Sequence, residues 1–347
     1  MSEHEAISLQ KEKTYYLEAD TLKGLAMFLV ILGHAIIWYP VNLHEDPACL
    51  WLFNLVSSVH VLLFFCLSGF LLSYKGNYRA YLWKKVLRLG IPYVIFNLID
   101  MVPRSLFAAL FNRPRSVSES LLSMVFNGGE LWFLRALFLF YVVFAPLALL
   151  QSRGVKWKVT VEVALFLLAA MPGVDTEWYQ YLDLNRIKLC LFFFNTGFLL
   201  KGPYPSVKER MERARPISIG FLSFILTVVW VGSVSFLHLP WWPGRIISIA
   251  TSLIAVAACY TYTAWKPFNT FFARFGPWTL QLYLMNSWTM GASRYFICTI
   301  MGVTAPAVIV LFNMLVDFFL SYLIIKYVFA RFRVLRFAMG ISPSVKD

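Results

Sequence analysis

The chain is poor in charge. Only 14% of its 347 residues are Asp, Glu, Lys or Arg, against about 25% in an ordinary soluble domain. No polar stretch is long enough for a soluble domain, and no internal repeat or low-complexity segment is present. There is no Gly-x-x-x-x-Gly-Lys-Ser/Thr loop, which argues against ATP as a driving force. There is no Gly-x-Ser-x-Gly elbow, and no His, Cys and Asp at metal-ligand spacing, so no metal is expected. The five cysteines (Cys49, Cys66, Cys190, Cys259, Cys298) are odd in number and scattered, which excludes a disulfide framework and suits small packing residues. Residues 1–20 carry Glu3, Glu5, Glu12 and Glu18 and no apolar core, so they do not read as a cleavable signal peptide.

What the chain has is apolar side chains: 59% of the total, 32 of them Phe, with a mean hydropathy of +0.66. A membrane span needs about 20 apolar residues. Ten runs qualify: roughly 22–39, 50–73, 91–111, 131–150, 157–172, 187–200, 216–236, 245–264, 276–299 and 303–330. The fifth and sixth are short, and the ninth is interrupted by Asn286, Gly291 and Arg294. The expected fold is therefore an all-α polytopic membrane protein with about ten transmembrane helices and both termini cytoplasmic. A cytoplasmic segment 1–20 precedes a transmembrane domain 21–330 and a basic cytoplasmic tail 331–347. The net charge of +13 does not indicate nucleic acid, because Lys and Arg cluster between the runs. On this topology 22 of the 31 fall on the inner side and six outside, as the positive-inside rule demands. Membrane lipid is the surrounding partner.

Some polar groups are not explained by topology. An ionisable group inside a span is costly and is a functional-site candidate by default. His34 lies in the first run, about 18 Å from its inner end at 1.5 Å per residue. Lys23, eleven residues earlier, falls within about 20° of the same helix face, and Asp20 within about 40° on the other side. His60 lies about 15 Å inside the second run, at similar height. Glu130 stands at the mouth of the fourth run and Arg135 one turn inside it. At the inner face Lys85 and Arg88 are three apart, so one polyanion can be gripped by both. Both are also what simple positive-inside anchors look like. Asp20 reads either as an orienting acid for His34 or as a helix N-cap. Trp132 reads as a sugar-stacking ring or an interfacial anchor. Two function classes remain open. One is acyl transfer from a phosphate-bearing cytoplasmic donor to a hydroxyl, with His34 taking the hydroxyl proton. The other is a proton-coupled transporter or exporter of a polar solute or glycolipid, with His34 and His60 as a relay.

Several motifs resemble a known family. Asp20-Thr21-Leu22-Lys23-Gly24-Leu25 followed by Leu32-Gly33-His34 resembles the opening pattern of the acyltransferase 3 integral-membrane acyltransferases, a group that includes O-acetyltransferases of cell-envelope sugars. His60 to Phe70, ending Phe64-Phe65-Cys66-Leu67-Ser68-Gly69-Phe70, resembles its second-span pattern. Lys85-Val86-Leu87-Arg88 before Pro92-Tyr93 resembles its Arg-x-x-Arg block, and Trp132-Phe133-Leu134 its fourth-span signature. Asn195-Thr196-Gly197 and Tyr283-Leu284-Met285-Asn286 are weaker echoes. The resemblance implies an acyl-coenzyme A donor, usually acetyl-CoA, and a carbohydrate or glycolipid acceptor in the envelope of a bacterial inner membrane. It casts His34 as the catalytic histidine and places Lys85 and Arg88 by the coenzyme A phosphates. From their positions alone, Asp20 and Glu130 are candidate catalytic partners of His34, Lys23 adds a cation on the donor side, and His60, Trp132 and Arg135 are left for the acceptor. Three positions depart from the pattern. Lysines stand at positions 23 and 85 where the family has arginine, so the bidentate fork is lost. Leu137 occupies the position of a glutamate that some members carry, and Asn286 that of a common histidine.

Overall fold

In a computed structural model, residues 16–37, 41–74, 76–106, 116–174, 176–177, 182–237 and 241–341 are described, and they contain helices and turns but no strand. The outer ends of the first and third apolar runs (38–39 and 107–111) lie outside these residues, as do Lys11, Lys13, Lys75, Arg113, Arg115 and Lys346. Most of the segment 1–20 and residues 342–347 of the tail lie outside them too.

Among the described residues every apolar run is helical, the second being divided between two helices. Six helical stretches are long and apolar enough to cross a membrane: Leu17–Ile37, Pro47–Phe70, Val117–Gln151, Pro216–Phe236, Pro243–Tyr262 and Pro306–Phe329. The helices are α1 (Leu17–Ile37), α2 (Pro47–Ser57), α3 (His60–Phe70), α4 (Tyr78–Lys85) and α5 (Ile91–Leu106). They continue with α6 (Val117–Phe126), α7 (Trp132–Gln151), α8 (Val155–Ala170), α9 (Leu184–Leu200) and α10 (Tyr204–Arg213). The last six are α11 (Pro216–Ser233), α12 (Trp241–Tyr262), α13 (Lys266–Ala273), α14 (Thr279–Tyr295), α15 (Pro306–Ile324) and α16 (Arg333–Ala338). The four remaining apolar runs correspond to α5, α8, α9 and α14, of 16 or 17 residues each.

Side-chain caps set several helix starts. Asp46 accepts the Cys49 N–H at 2.8 Å and Pro47 takes the first position of α2. Ser116 and Glu119 form a reciprocal capping box on α6. The second apolar run breaks at Ser58–Val59, where the Ser58 hydroxyl donates to the Leu55 carbonyl and accepts from the Trp230 indole N–H. That break makes His60 the first residue of α3 instead of a mid-helix residue.

Between α4 and α5 the chain stays helical but widens into one π-helical turn, Val86–Gly90, in which the Ile91 N–H reaches back to the Val86 carbonyl. Pro92 does not end the helical segment; it sits at the second position of α5. Proline lacks an N–H and its ring would collide with the carbonyl four residues back, that of Arg88; the wide turn precedes it directly. The Arg88 carbonyl faces Gly340, where a Cβ would lie 2.6 Å from it, and Gly340 has a positive φ of 62°. Glycine alone meets both conditions without strain.

Backbone-to-backbone contact joins α3 to α9. A Cβ on Gly69 would stand 1.8 Å from the Phe194 carbonyl oxygen, and one on Gly197 would stand 1.8 Å from that of Cys66. Such small-residue crossings are how helices approach closely in lipid, where no hydrophobic force draws them together. Beneath α1, the short α10 is held by Glu18, which accepts from the Tyr204 hydroxyl at 3.0 Å and pairs with Lys208 at 2.8 Å. That hydrogen bond holds the Lys208 ammonium above its ordinary range. All five cysteines are free, four of them buried.

Candidate active site

One cavity of about 350 Å³ opens among α1, α3, α4, α7 and α14. Its wall contains Lys23, His34, His60, Lys85, Arg88, Glu130 and Trp132. Along α1 the wall runs from Lys23 to His34, about 16 Å at 1.5 Å per residue. Seven of the nine residues singled out from sequence therefore meet in one space. Asp20 and Arg135 do not belong to its wall.

Asp20 lies inside the first turn of α1, so it is not the N-cap, and it does not reach His34. Its carboxylate pairs with Lys23 at 2.7 Å, an i,i+3 contact that holds the ammonium at the cavity edge. Arg135 is half-buried and interacts electrostatically with Tyr93 and Asp183. Glu130 sits in a single tight turn, Gly129–Leu131, entered through Gly128 in the left-handed region (φ 86°). The Tyr283 hydroxyl donates to the Glu130 carbonyl at 2.9 Å, which fixes the turn, and the carboxylate acts electrostatically on His34.

His60 donates from Nδ1 to the Val56 carbonyl at 2.7 Å. This bond spans the α2–α3 break. It leaves Nε2 as the acceptor nitrogen. Lys85 lies with its ammonium 3.4 Å from the centroid of the Tyr141 ring and 5.5 Å from that of Tyr81, a cation–π seat that holds it at the cavity. Arg88 is exposed and lines the same wall. Trp132 carries the Arg186 guanidinium over its ring at 4.4 Å.

His34 is held by residues of α14 and α15, of which Asn286 lines the same cavity. Its Nδ1 bonds the Asn286 side-chain oxygen. The Asn286 amide N–H donates to Asp317, which also accepts from the Thr289 and Ser321 hydroxyls. Asp317 is fully buried on α15. Arg294, also fully buried, donates to the Ala35 carbonyl at 2.6 Å and to those of Ile36 and Val41. It closes the C-terminal end of α1, where free carbonyls and the helix dipole favour a cation. Both Asn286 and Arg294 interrupt the ninth apolar run in sequence, and that interruption was their signal.

A second buried polar group lies away from the cavity. Glu162 on α8 accepts from Asn195 and from Thr196 (2.7 Å), and Gln151 donates to Asn195 at 2.8 Å. Among the described residues no group of three His, Cys, Asp or Glu is placed to hold a metal ion.

These features define an integral membrane protein with a polar cavity, basic at one end and carboxylate-bearing at the other, cut into its apolar helices. The chain belongs to the acyltransferase 3 family: the Acyl_transf_3 model, an acyltransferase domain, matches residues 16–332. No curated protein and no solved structure matches it. It is thus a membrane acyltransferase.

Proposed function

We propose that the protein moves an acyl group, acetyl in the first instance, from cytoplasmic acyl-coenzyme A to a hydroxyl of an envelope carbohydrate or glycolipid. The observation that carries this reading is the single cavity walled by His34 together with Lys23, Lys85 and Arg88. The three cations suit the phosphates of coenzyme A, and Trp132 suits a sugar ring. In the same reading all ten apolar helices cross a bacterial inner membrane, with both termini on the cytoplasmic side.

The chemistry is acid–base catalysis on a thioester. His34 Nε2 takes the proton of the acceptor hydroxyl as its oxygen attacks the thioester carbonyl carbon. The C–S bond breaks as the tetrahedral intermediate collapses, and the imidazolium returns the proton to the departing sulfur. The products are the ester and free coenzyme A thiol, and the histidine ends as it began. Glu130 stabilises the imidazolium between the two steps, and His60 holds the acceptor.

The test is donor dependence. Purified protein in lipid nanodiscs should bind acetyl-CoA, and membranes that contain it should transfer labelled acetyl to envelope carbohydrate. His34→Ala should keep the binding and lose the transfer. A protein that binds no acetyl-CoA and instead drives proton-linked solute uptake in vesicles would overturn the reading.

A further inference from the structure

Asp317 is a carboxylate at 0% exposure on a helix that is apolar enough to cross the membrane. Among the described residues no Lys, Arg or His forms an ion pair with it. A buried carboxylate of this kind is costly, and at membrane depth it marks function. Its contacts are the Thr289 and Ser321 hydroxyls and the Asn286 amide, and Asn286 in turn bonds His34.

We propose that Asp317 is a positioning residue, acting through Asn286 to lock His34 in the Nδ1–H tautomer with Nε2 as the basic nitrogen. The inference deepens the acyl-transfer reading and rests on His34 being its base. The argument follows from donor and acceptor inventory. Once ionised, the Asp317 carboxylate only accepts, so Asn286 turns its NH₂ toward it. The amide is rigid and planar, so its oxygen then faces the imidazole. That oxygen also only accepts, so Nδ1 must carry the hydrogen. The remaining ring nitrogen, Nε2, holds the lone pair that a general base needs. The logic matches that of a Ser-His-Asp triad, in which the acid fixes the tautomer and takes no proton itself. Here an amide stands between acid and ring and cannot pass a proton along. Asp317 therefore orients and polarises His34, and every proton in the reaction moves at Nε2. The departure of position 286 from histidine to asparagine fits the same scheme. A second imidazole there would titrate, whereas an amide keeps one fixed polarity while Asp317 holds it.

The test reads the tautomer directly. Full-length protein labelled with ¹⁵N-histidine is placed in nanodiscs at alkaline pH, where an imidazole is neutral. The His34 resonance is assigned by its loss in His34→Gln. Wild type should show Nε2 as the pyridine-type nitrogen. Asp317→Asn keeps the volume but allows position 317 to donate, which frees Asn286 to turn round. The His34 signal should shift toward the Nε2–H form. Acetyl transfer should lose at least about 10²-fold in kcat, the direction expected of a base held in the wrong tautomer, with KM for acetyl-CoA within about twofold. An Nε2–H tautomer in wild type overturns the proposal, and so does an unchanged tautomer and kcat in Asp317→Asn. Should that variant fail to assemble, Asn286→Leu asks the same question, and an unchanged tautomer there overturns the proposal too. A tautomer that turns in a protein showing no acetyl-CoA-dependent transfer supports the role of Asp317 and removes the acyl-transfer reading alone.

Discussion

Asn286 and Arg294, eight residues apart on α14, both hold α1: the first by the His34 ring, the second by the carbonyls of Ala35 and Ile36. The site histidine is thus fixed by its side chain and by the end of its own helix. Both anchors come from one neighbouring element.

Arg294→Met would leave the carbonyls at the end of α1 without donors in a buried setting. Removing one side of such a polar cluster costs about 3 kcal/mol. Thermal unfolding in nanodiscs should show a clear fall in midpoint, and acetyl transfer should fall with it. An unchanged midpoint would mean that Arg294 does not secure α1.

Glu130 shares the cavity wall with His34, the proposed base. Glu130→Gln keeps the shape and removes the charge. We expect kcat to drop by about 10- to 100-fold while acetyl-CoA affinity holds, as measured by calorimetry alongside steady-state kinetics. Equal losses in affinity and rate would instead place Glu130 at the donor.

Lys85 and Arg88 stand where coenzyme A phosphates are proposed. Lys85→Ala and Arg88→Ala should each raise KM for acetyl-CoA by about tenfold, the equivalent of about 1.4 kcal/mol for one charge-assisted contact. The kcat should stay within about twofold, and added salt should mimic the effect in wild type. A KM insensitive to both changes would remove these residues from the donor site.

Gly197→Ala would place a methyl group 1.8 Å from the Cys66 carbonyl oxygen and 2.6 Å from its carbon, both backbone atoms. Neither can swing aside, so α3 and α9 must part. The cost should reach or exceed about 3 kcal/mol, seen as loss of the monodisperse peak in size-exclusion chromatography. Gly220→Ala, with open space around its added Cβ, is the control that should behave as wild type.

Much of this architecture was readable because hydropathy is local. An apolar run declares helix wherever it packs, and every run is helical where it is described, the second in two pieces. Two of the cavity residues were readable for a related reason: His34 and His60 are costly where they stand, and cost in lipid shows in one dimension. Asp20 and Arg135 lie outside the cavity wall, because what they touch depends on side-chain direction and on neighbouring helices. Asp317 was missed although an acid in the middle of the last apolar run is conspicuous, because charge bias rests on Lys and Arg and Asp is nearly silent in that rule. Glu162 escaped in the same way. The partnership of Asp317 with Asn286 and His34 could not be read at all, since it depends on α1, α14 and α15 packing against one another.

The π-helical turn at Val86–Gly90 carries a consequence for length changes in this region. Deleting any one of its five residues would let the backbone relax into regular α-helix. The pair that closes the wide turn, the Ile91 N–H and the Val86 carbonyl, would then close as an ordinary i→i+4 bond, so Lys85 would keep its face relative to α5 and its seat by the Tyr141 ring. A family member one residue shorter here would present its first cation to the same pocket without any other change.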